Sequence, residues 1–273
     1  MPELPEVETV KNTLKKLVCN KVIKNVSIYY DNIIEYPHSK EFKEQIKNER
    51  INDIKRRGKW LIFELDNYYL LSHLRMEGKY FIKDSKDERD KHEHVIFHLD
   101  DGSDLRYRDT RKFGKMLLVE KDKLETTKSI IELGYEPWDK KLTKDYLHEV
   151  LKRKSIPIKS SLLNQSIIAG IGNIYADEIL FLSKINPETK SNMVSKDKCQ
   201  EIIDNTKMVL ESAIEGGGTT IRSYESSEGV HGRFQQKLLV HAKEKEKCSI
   251  CGTIIEKKFV GGRGTYFCKV CQK

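Results

Sequence analysis

Residues 248–271, CSICGTIIEKKFVGGRGTYFCKVC, carry the strongest structural signal in this chain of 273 residues. Two C-x-x-C pairs, Cys248 with Cys251 and Cys268 with Cys271, are separated by sixteen residues. Four thiolates at this spacing are typical of a closed tetrahedral zinc site, which has no open position for a catalytic water. We therefore predict one structural Zn²⁺ that stabilises a ribbon too small to form its own hydrophobic core. Two disulfides are the alternative, and an intracellular setting disfavours them.

The segment between the two cysteine pairs has the composition of a tight turn. Glycines at 261, 262 and 264 predict a hairpin with Arg263 at its tip. A guanidinium is a planar fork that suits phosphate, although a solvated turn arginine fits this spacing equally well. Residues 237–273 contain nine Lys and Arg against three Glu, a net charge of +6 out of +8 for the whole chain. This concentration of positive charge favours a nucleic-acid partner.

The composition of the whole chain indicates an intracellular protein with an anionic partner. Hydrophobic residues make up 38% of the sequence, which is enough for a core, and the pI is about 9.0. Basic proteins of this kind commonly bind nucleic acid. The sequence has no run of eighteen apolar residues that would predict a membrane helix, and its acidic N-terminus does not resemble a signal peptide. We therefore expect a cytosolic location, with Cys19 and Cys199 reduced.

The first 120 residues alternate in the manner of a β-rich fold that follows one helix. Residues 4–18 predict this helix, because apolar side chains recur at helical spacing at Val7, Val10, Leu14 and Leu17. Segments such as KWLIFELDNYYLLSHL and HVIFHLDDGSDLRY alternate like strands around the hairpin turns Asp66-Asn67 and Asp101-Gly102. Tight turns between neighbouring strands imply antiparallel pairing, so we predict a β-sandwich, interrupted by one amphipathic stretch, SKEFKEQIKNE.

Helical periodicity returns after LGYEPWDKKLT, residues 133–143, which we interpret as a linker. Residues 162–181, LLNQSIIAGIGNIYADEILF, then predict a helix, a two-turn connection at Gly170 and Gly172, and a second helix that Asn173 can cap. Backbone N–H groups at the start of that second helix would bind phosphate. Taken alone, an ordinary helical hairpin with solvated basic side chains is the simpler interpretation, and the basic side chains just upstream are Lys152, Arg153, Lys154 and Lys159.

These patterns predict an α+β protein with three parts. Residues 1–132 form an antiparallel β-sandwich behind an N-terminal helix, residues 133–236 form a helical domain with the two-helix motif, and residues 237–273 form the zinc ribbon. The polar stretch GGGTTIRSYESSEGVHGRF, residues 216–234, offers few apolar anchors. We predict that it is a mobile loop.

The N-terminal sequence MPELPEVETV raises a chemical possibility. Removal of Met1 would expose the secondary amine of Pro2, which is a nucleophile toward aldehydes and can form an iminium ion. The reference pKa of an α-amino group is about 8, so a useful fraction could be unprotonated at neutral pH without deep burial. Glu3 would then supply a proton donor beside the reacting carbon. For an arbitrary sequence of this kind, a simple helix cap is the more common explanation.

Two further segments have polar side chains with more than one interpretation. KRRGKWL places Arg56, Arg57 and Lys59 around Gly58, where they could contact phosphate and Lys59 could donate a proton. An exposed basic turn is the alternative. KHEHVIFHL does not fit the H-E-x-x-H metal motif because position 96 is isoleucine, so we predict no metal there. Taken singly, Met76 and Phe113 would be ordinary core or turn residues.

Five segments in this order resemble the formamidopyrimidine-DNA glycosylases, bacterial enzymes of base excision repair. The resemblance covers the whole chain, and the segments are PELPEVETV, KRRGKWL, RDTRKFG, AGIGNIYADE and GGRGTYFC. It implies a bifunctional DNA glycosylase and AP lyase that removes 8-oxoguanine and formamidopyrimidines. The resemblance further implies β,δ-elimination through a Schiff base, a monomer that binds damaged duplex DNA, and a cytoplasmic, nucleoid-associated location.

The resemblance also implies roles for individual residues. Pro2 matches the Schiff-base nucleophile, Glu3 the proton donor for base loss, Lys59 the proton donor of the first elimination and Arg263 that of the second. Met76, Arg111 and Phe113 match the side chains that fill the gap left by a flipped nucleotide. The remaining matches are DNA contacts, namely His73, His92, Arg111, Lys154 and the phosphate-binding Asn173. The stretch after Gly218 matches a loop that covers the extruded base.

The sequence departs from the family pattern at two places. Asn164 stands in LLNQ where many members have aspartate, and the zinc hairpin reads TYFCKVC where THYCPRC is common. Two other functions remain open. One is an endonuclease VIII-like glycosylase for oxidised pyrimidines, which the Met76, Arg111 and Phe113 set disfavours. The other is a protein that binds DNA without cutting it, which has no need for Pro2, Glu3, Lys59 and Arg263 together.

Overall fold

The computed structural model describes residues 1–219 and 234–273, so most of the predicted mobile loop lies outside the described residues. The described residues divide into two compact units. The first comprises residues 1–131 and 217–219, and the second comprises residues 132–216 and 234–273. The three-part division at 132 and 236 stays a prediction. Within the described ranges, no helix combines the length and the apolar character needed to cross a bilayer.

The first unit starts with the predicted helix, α1 (Leu4–Val18), and continues mainly as strands. Two shorter helices are α2 (Ser39–Ile46), which is the amphipathic stretch, and α3 (Lys128–Ile131). The strands are β1 (Ile23–Ile28), β2 (Ile34–Tyr36), β3 (Asp53–Arg57), β4 (Trp60–Glu64), β5 (Tyr68–His73), β6 (Lys79–Asp84), β7 (Glu93–Leu99), β8 (Ser103–Arg108) and β9 (Lys115–Glu120).

These strands form two sheets, in the orders β1-β7-β8-β6 and β2-β9-β5-β4-β3. The β4–β5 and β7–β8 pairs are antiparallel hairpins, as the two turn signals predicted. The expectation of purely antiparallel pairing is wrong at one edge, because β2 runs parallel to β9. These two strands are distant in the sequence and no tight turn joins them, so the turn signals carried no information about their direction.

The core of the first unit lies between the two sheets, which confirms the sandwich. The Tyr80 ring bridges them, with centroid distances of 5.8 Å to Phe63 and 5.2 Å to Tyr107, and its hydroxyl donates to Ser72 Oγ at 2.7 Å. Helix α1 adds its buried face to the same core. That face ends at Val18 and not at Leu17, which is 37% exposed. The apolar positions of α1 therefore follow 7, 10, 14 and 18.

The second unit consists of four helices of six or more residues and one hairpin within the described ranges. They are α4 (Lys144–Leu151), α5 (Ile158–Leu163), α6 (Asn173–Leu182), α7 (Lys196–Glu215), β10 (Glu256–Val260) and β11 (Arg263–Phe267). Helices α5 and α6 form the predicted two-helix motif, but the N-cap of α6 is Gly172, so the expectation that Asn173 caps this helix is wrong. The side chain of Gln165 holds their connection, since it donates to the carbonyls of Leu163 and Ile171 and accepts from the Gly170 N–H.

The segment predicted as a linker is packed against that same connection. Gly134 donates its N–H to the Gln165 carbonyl at 2.9 Å, and a Cβ at position 134 would lie only 2.4 Å from the Ile167 carbonyl oxygen. The Ala169 N–H donates in turn to the Tyr135 carbonyl. The glycine that suggested flexibility is thus required for close backbone packing, and the linker interpretation is wrong at this point.

Candidate functional site

Pro2 is buried directly ahead of helix α1, and the helix start is well ordered by its own glutamates. Glu3 is the N-cap, and Glu3 and Glu6 form a capping box in which each side chain accepts from the backbone N–H of the other. The Glu3 N–H to Glu6 Oε2 distance is 2.8 Å. The helix cap considered from the sequence is therefore present. It also fixes the backbone on which Pro2 stands.

Glu6 has a second set of contacts that the sequence did not reveal. Its other oxygen, Oε1, accepts from the Thr219 N–H at 2.8 Å and from the Thr219 hydroxyl at 3.1 Å. Gly218 is at a φ of +83°, and a Cβ there would lie 2.8 Å from the same oxygen. One buried carboxylate thus ties the start of α1 to the last described residues before position 220.

Lys59 lies on the turn between β3 and β4, which is tied to α1 by an arginine. Arg56 Nε donates to Glu8 Oε2 at 2.8 Å, and Arg56 Nη1 donates to the Gly58 carbonyl at 2.9 Å. Gly58 has a φ of 57°, which this turn requires. Lys59 is only 5% exposed. The alternative of an exposed basic turn is therefore wrong for Lys59.

His73 pairs with Trp60 across β4 and β5, close to Lys59. Burial, followed by the positive charges of Arg75 and Lys59, lowers the pKa of His73 from 6.5 to about 3. Its Nδ1 accepts from the Arg75 N–H at 2.9 Å, so the proton of the neutral ring is on Nε2. His73 therefore adds a neutral N–H donor, and no second positive charge, beside Lys59.

The RDTRKFG segment forms a loop around the buried carboxylate of Asp109. This carboxylate accepts from the N–H groups of Arg111 at 3.0 Å, Phe113 at 2.9 Å and Gly114 at 2.8 Å. The loop holds the Phe113 ring 50% exposed, with the Arg111 guanidinium 4.8 Å above the ring centroid. An apolar side chain is thus presented to solvent by a rigid loop, with a cation stacked on it.

The turn that carries Met76 is joined to the Phe113 loop. The hydroxyl of Tyr107 lies between Gly78 and Gly114. A Cβ added at Gly78 would lie 2.2 Å from the hydroxyl oxygen, and one added at Gly114 would lie 1.8 Å from it. The Thr110 hydroxyl also donates to the Glu77 carboxylate. The structure therefore brings Met76, Arg111 and Phe113 onto two connected loops. Sequence reasoning missed the roles of Tyr107 and Asp109 in this arrangement.

The three histidines of KHEHVIFHL have different hydrogen-bond partners. The His94 Nε2 bonds to the Asp109 carbonyl at 2.9 Å, whereas His98 Nδ1 pairs with Asp104 Oδ1 at 2.7 Å. His92 is partly buried, and its backbone N–H donates to Asp90 Oδ1. Burial lowers the pKa of His94. The structure thus gives His94 a role in holding the Asp109 loop, and the partly buried His92 ring lies with its centroid 6.4 Å from that of His94.

The four cysteines of the second unit meet at one point. Their sulfur atoms all lie within 4.8 Å of one another, with Cys248 Sγ 3.9 Å from Cys271 Sγ and Cys251 Sγ 3.4 Å from Cys268 Sγ. Tetrahedral zinc with Zn–S bonds of about 2.3 Å places its ligands about 3.8 Å apart. The cluster therefore fits one structural Zn²⁺, and the alternative of two disulfides, with S–S bonds of about 2.05 Å, is wrong.

Arg263 lies directly after the turn of the zinc hairpin and not at its tip as predicted, because it already pairs with Val260 on the opposite strand. Gly261 and Gly262, with φ values of 55° and 76°, form the two-residue turn between β10 and β11. Both glycines are needed because this type of turn requires positive φ at both central residues. Arg263 is the first residue of β11 and its side chain is exposed.

Asn173 and Lys159 contact the same hairpin. Asn173 Nδ2 donates to the Gly264 carbonyl at 3.1 Å, and its buried Oδ1 has no hydrogen-bond partner among the described residues. Lys159 is fully buried and pairs with Asp177 at 2.7 Å, so the interpretation of Lys159 as a solvated side chain is wrong. Lys154 remains partly exposed at the start of the motif.

The departure at Asn164 has a simple structural account. Its Oδ1 accepts from the Ser166 N–H at 3.0 Å and from the Ser166 hydroxyl at 2.8 Å. Only an acceptor oxygen is used, and asparagine supplies one as aspartate would. The start of the two-helix connection is therefore maintained without a charge.

Three family models together match most of the chain. The formamidopyrimidine-DNA glycosylase N-terminal domain matches residues 1–116, and the formamidopyrimidine-DNA glycosylase H2TH domain matches residues 133–225. The zinc finger found in FPG and IleRS matches residues 245–273, which include all four cysteines. This match agrees with the zinc site inferred from the sulfur geometry.

Individual relatives extend over the full length. The formamidopyrimidine-DNA glycosylase of Bacillus subtilis is 46% identical over 273 residues, covering 100% of this chain and 99% of that protein. The one from Exiguobacterium sibiricum is 47% identical over 274 residues at the same coverage.

Solved structures show the same fold. The Lactococcus lactis Fpg in complex with DNA containing an abasic site has a TM-score of 0.93 at 38% identity, covering 99% of each chain. The wild-type Lactococcus lactis Fpg with DNA containing N7-benzyl-Fapy-dG has a TM-score of 0.92 at 39% identity and full coverage of both chains. The chain therefore belongs to the formamidopyrimidine-DNA glycosylase family of DNA-repair glycosylases with AP lyase activity.

Proposed function

We propose that this enzyme removes oxidised purines, 8-oxoguanine and formamidopyrimidines, from duplex DNA and cuts the strand through a covalent intermediate on Pro2. The observation that carries the proposal is the environment of Pro2. This residue is buried next to a capped helix start, and the same helix is tied through Glu8 and Arg56 to the turn that carries the buried Lys59. Such an arrangement holds an amine and an ammonium group on rigid elements.

The first step requires removal of Met1, after which the Pro2 nitrogen attacks C1′ of the damaged nucleotide. The N–C1′ bond forms, the bond from C1′ to the base breaks, and the base leaves with a proton that Glu3 donates. The nitrogen loses its own proton, the C1′–O4′ bond opens, and O4′ takes up a proton. The product is an iminium ion at C1′, a type of covalent intermediate that divides one difficult reaction into easier steps.

The iminium ion acidifies the C2′ hydrogen and so leads to strand cleavage. Loss of that proton expels the 3′ phosphate by β-elimination, and the Lys59 ammonium donates to the departing oxygen. Loss of the C4′ proton then expels the 5′ phosphate by δ-elimination. Arg263 supports this second departure. A guanidinium stays protonated in proteins, so it acts by hydrogen bonding to the phosphate and by charge.

Other side chains are proposed to hold the damaged duplex. Met76, Arg111 and Phe113 would occupy the space left by the extruded nucleotide, which the exposed Phe113 ring supports. The N–H of neutral His73, partly exposed His92 and Lys154, and Asn173 at the start of α6 are proposed to contact DNA. The four cysteines would hold Zn²⁺, which stabilises the hairpin and takes no part in the chemistry. Association with the bacterial nucleoid in the cytoplasm would follow from DNA binding.

Trapping with borohydride tests this proposal against its two rivals. The protein is incubated with a duplex that contains 8-oxoguanine opposite cytosine, and the iminium ion is reduced to a stable protein–DNA adduct. We expect an adduct on this duplex and much less on a thymine glycol duplex. Preference for thymine glycol would support the pyrimidine glycosylase instead. Tight binding without an adduct on either duplex would support a protein that only binds DNA.

A further inference from the structure

The backbone on either side of Arg263 is held by a buried polar network. Lys159 Nζ on α5 pairs with Asp177 Oδ1 on α6 at 2.7 Å. It also donates to the Thr265 hydroxyl at 2.8 Å and to the Gly264 carbonyl at 3.1 Å. The side chains of Lys159 and Thr265 are completely buried. An ammonium group in the interior thus binds the two residues that follow Arg263.

Two more contacts fix the same turn. The Thr265 hydroxyl donates to the Arg263 carbonyl at 2.9 Å, so the hydroxyl connects Lys159 directly to the arginine backbone. On the other side of the turn, a Cβ at Gly261 would lie 2.2 Å from Ser160 Oγ. The hairpin end is therefore packed against α5 before Arg263 and hydrogen-bonded to α5 after it, while Arg263 itself remains exposed.

Asp177 extends the network to a third segment. Its Oδ2 contacts His241 Nδ1 at 2.7 Å and accepts from the Tyr266 N–H at 3.3 Å. The His241 ring packs against the Tyr266 ring with a centroid distance of 4.9 Å. One carboxylate on α6 thus joins His241, which lies before the ribbon, to Tyr266 on β11.

Stability alone does not account for this arrangement. A buried ion pair is a poor stabiliser because desolvation offsets most of the attraction, and the zinc site already stabilises the ribbon. What the network does provide is a fixed position for the backbone of Arg263. We propose that Lys159 and Thr265 are positioning residues for Arg263. This inference rests on the proposed function, in which Arg263 supports departure of the 5′ phosphate.

Substitution of Thr265 separates positioning from folding. Thr265→Val keeps the shape but removes the hydroxyl that connects Lys159 to the Arg263 carbonyl, whereas Thr265→Ser retains that hydroxyl. On a duplex with a preformed abasic site, we expect the ratio of δ- to β-elimination product to fall about tenfold in T265V, because catalytic groups displaced by a fraction of an ångström lose rate steeply. T265S should restore the ratio. Zinc content and borohydride trapping should match the unmodified enzyme.

Lys159→Met and Arg263→Gln complete the experiment. K159M removes the ammonium and should lower the same ratio, and R263Q gives the effect of losing the guanidinium itself. The inference is overturned if folded, zinc-loaded T265V keeps the ratio while R263Q lowers it. It is also overturned if T265V slows every step equally or loses zinc, since the network would then be only structural.

A separate readout distinguishes failure of the inference from failure of the proposed function. If R263Q leaves the ratio unchanged, the role proposed for Arg263 is wrong. The positioning claim is then decided by ¹⁵N relaxation of the Arg263 backbone amide. Increased mobility in T265V, absent in T265S, supports positioning, and unchanged mobility contradicts it.

Discussion

The hydroxyl of Tyr107 occupies the space where a side chain at Gly114 would begin: an added Cβ would lie 1.8 Å from this oxygen and 2.7 Å from Cζ. Gly78, on the turn after Met76, approaches the same hydroxyl. One phenol therefore sets the distance between the Met76 turn and the Phe113 loop. Glycine is required at position 114 by this close approach.

Gly114→Ala should therefore destabilise the first unit and displace the Phe113 loop. Overpacking of this kind costs about 1–3 kcal/mol, measurable by urea unfolding. Tyr107→Phe in the same chain should restore part of the loss, since it removes the oxygen but leaves Cζ in place. A double-mutant cycle measures this coupling. Additive effects of the two substitutions would contradict the contact.

Phe113→Ala should lower excision with little effect on folding. The ring is 50% exposed, so its removal leaves the core unchanged, but it would withdraw the apolar group proposed to support unstacked DNA. Base–aromatic stacking contributes about 1–3 kcal/mol, so excision under single-turnover conditions should slow about tenfold or more. Ile131→Ala, at another exposed apolar residue of this unit, is the matched control. Equal rates for both variants would argue against the role of Phe113.

His73 should make the protein less stable in acid. Its pKa is about 3 in the folded protein against 6.5 when unperturbed, so between these values the unfolded chain binds the proton and the folded one does not. The contribution of neutral His73 to the free energy of unfolding is therefore complete above about pH 6.5. It decreases as the pH falls toward 3, by at most about 1.4 kcal/mol per pH unit.

The variant His73→Asn keeps an acceptor for the Arg75 N–H and cannot titrate. As the pH is lowered from 7.5 to 4, the unfolding free energy of the unmodified protein should therefore fall more than that of the variant. A difference that stays constant over this range would show that His73 titrates normally or is not buried in solution.

Removal of zinc should abolish DNA binding and leave the β-sandwich folded. The four sulfurs lie at the centre of the ribbon, so the ribbon would lose its fixed structure without zinc. The hydrophobic core of the first unit is built without residues 237–273 and should remain folded. Chelation followed by a binding assay and by hydrogen exchange of the β-sheet amides measures both effects. Retained affinity after complete zinc loss would show that the ribbon does not hold DNA.

Local signals in the sequence predicted much of this fold. Helix α1 spans the predicted residues because its caps and its apolar period lie within the segment itself. The cysteine spacing likewise predicted the zinc site, and the glycines at 261 and 262 predicted the hairpin turn, because these signals also lie within short segments. The parallel pairing of β2 with β9 was not predictable, since it depends on strands far apart in the chain.

In the candidate site, too, contacts between residues far apart in the chain were not predictable from the sequence. The sequence around Lys159 does not show that this lysine is buried, because its partners are distant and Thr265 lies 106 residues further along. The lowered pKa of His73 and the contact of Tyr107 with Gly114 likewise depend on strand pairing and loop packing. The resemblance to a known family named the residues proposed to react, but it gave no account of what holds them.

The central claim is that a free imino group on Pro2 reacts with C1′, and one measurement tests it directly. Protein with Met1 retained and protein with Met1 removed are compared by intact mass after borohydride trapping on an abasic duplex, and the adduct is mapped by peptide sequencing. We predict an adduct only on processed chains, at the Pro2 nitrogen. Equal trapping and strand cleavage by chains that retain Met1, or an adduct mapped to another residue, would contradict the account.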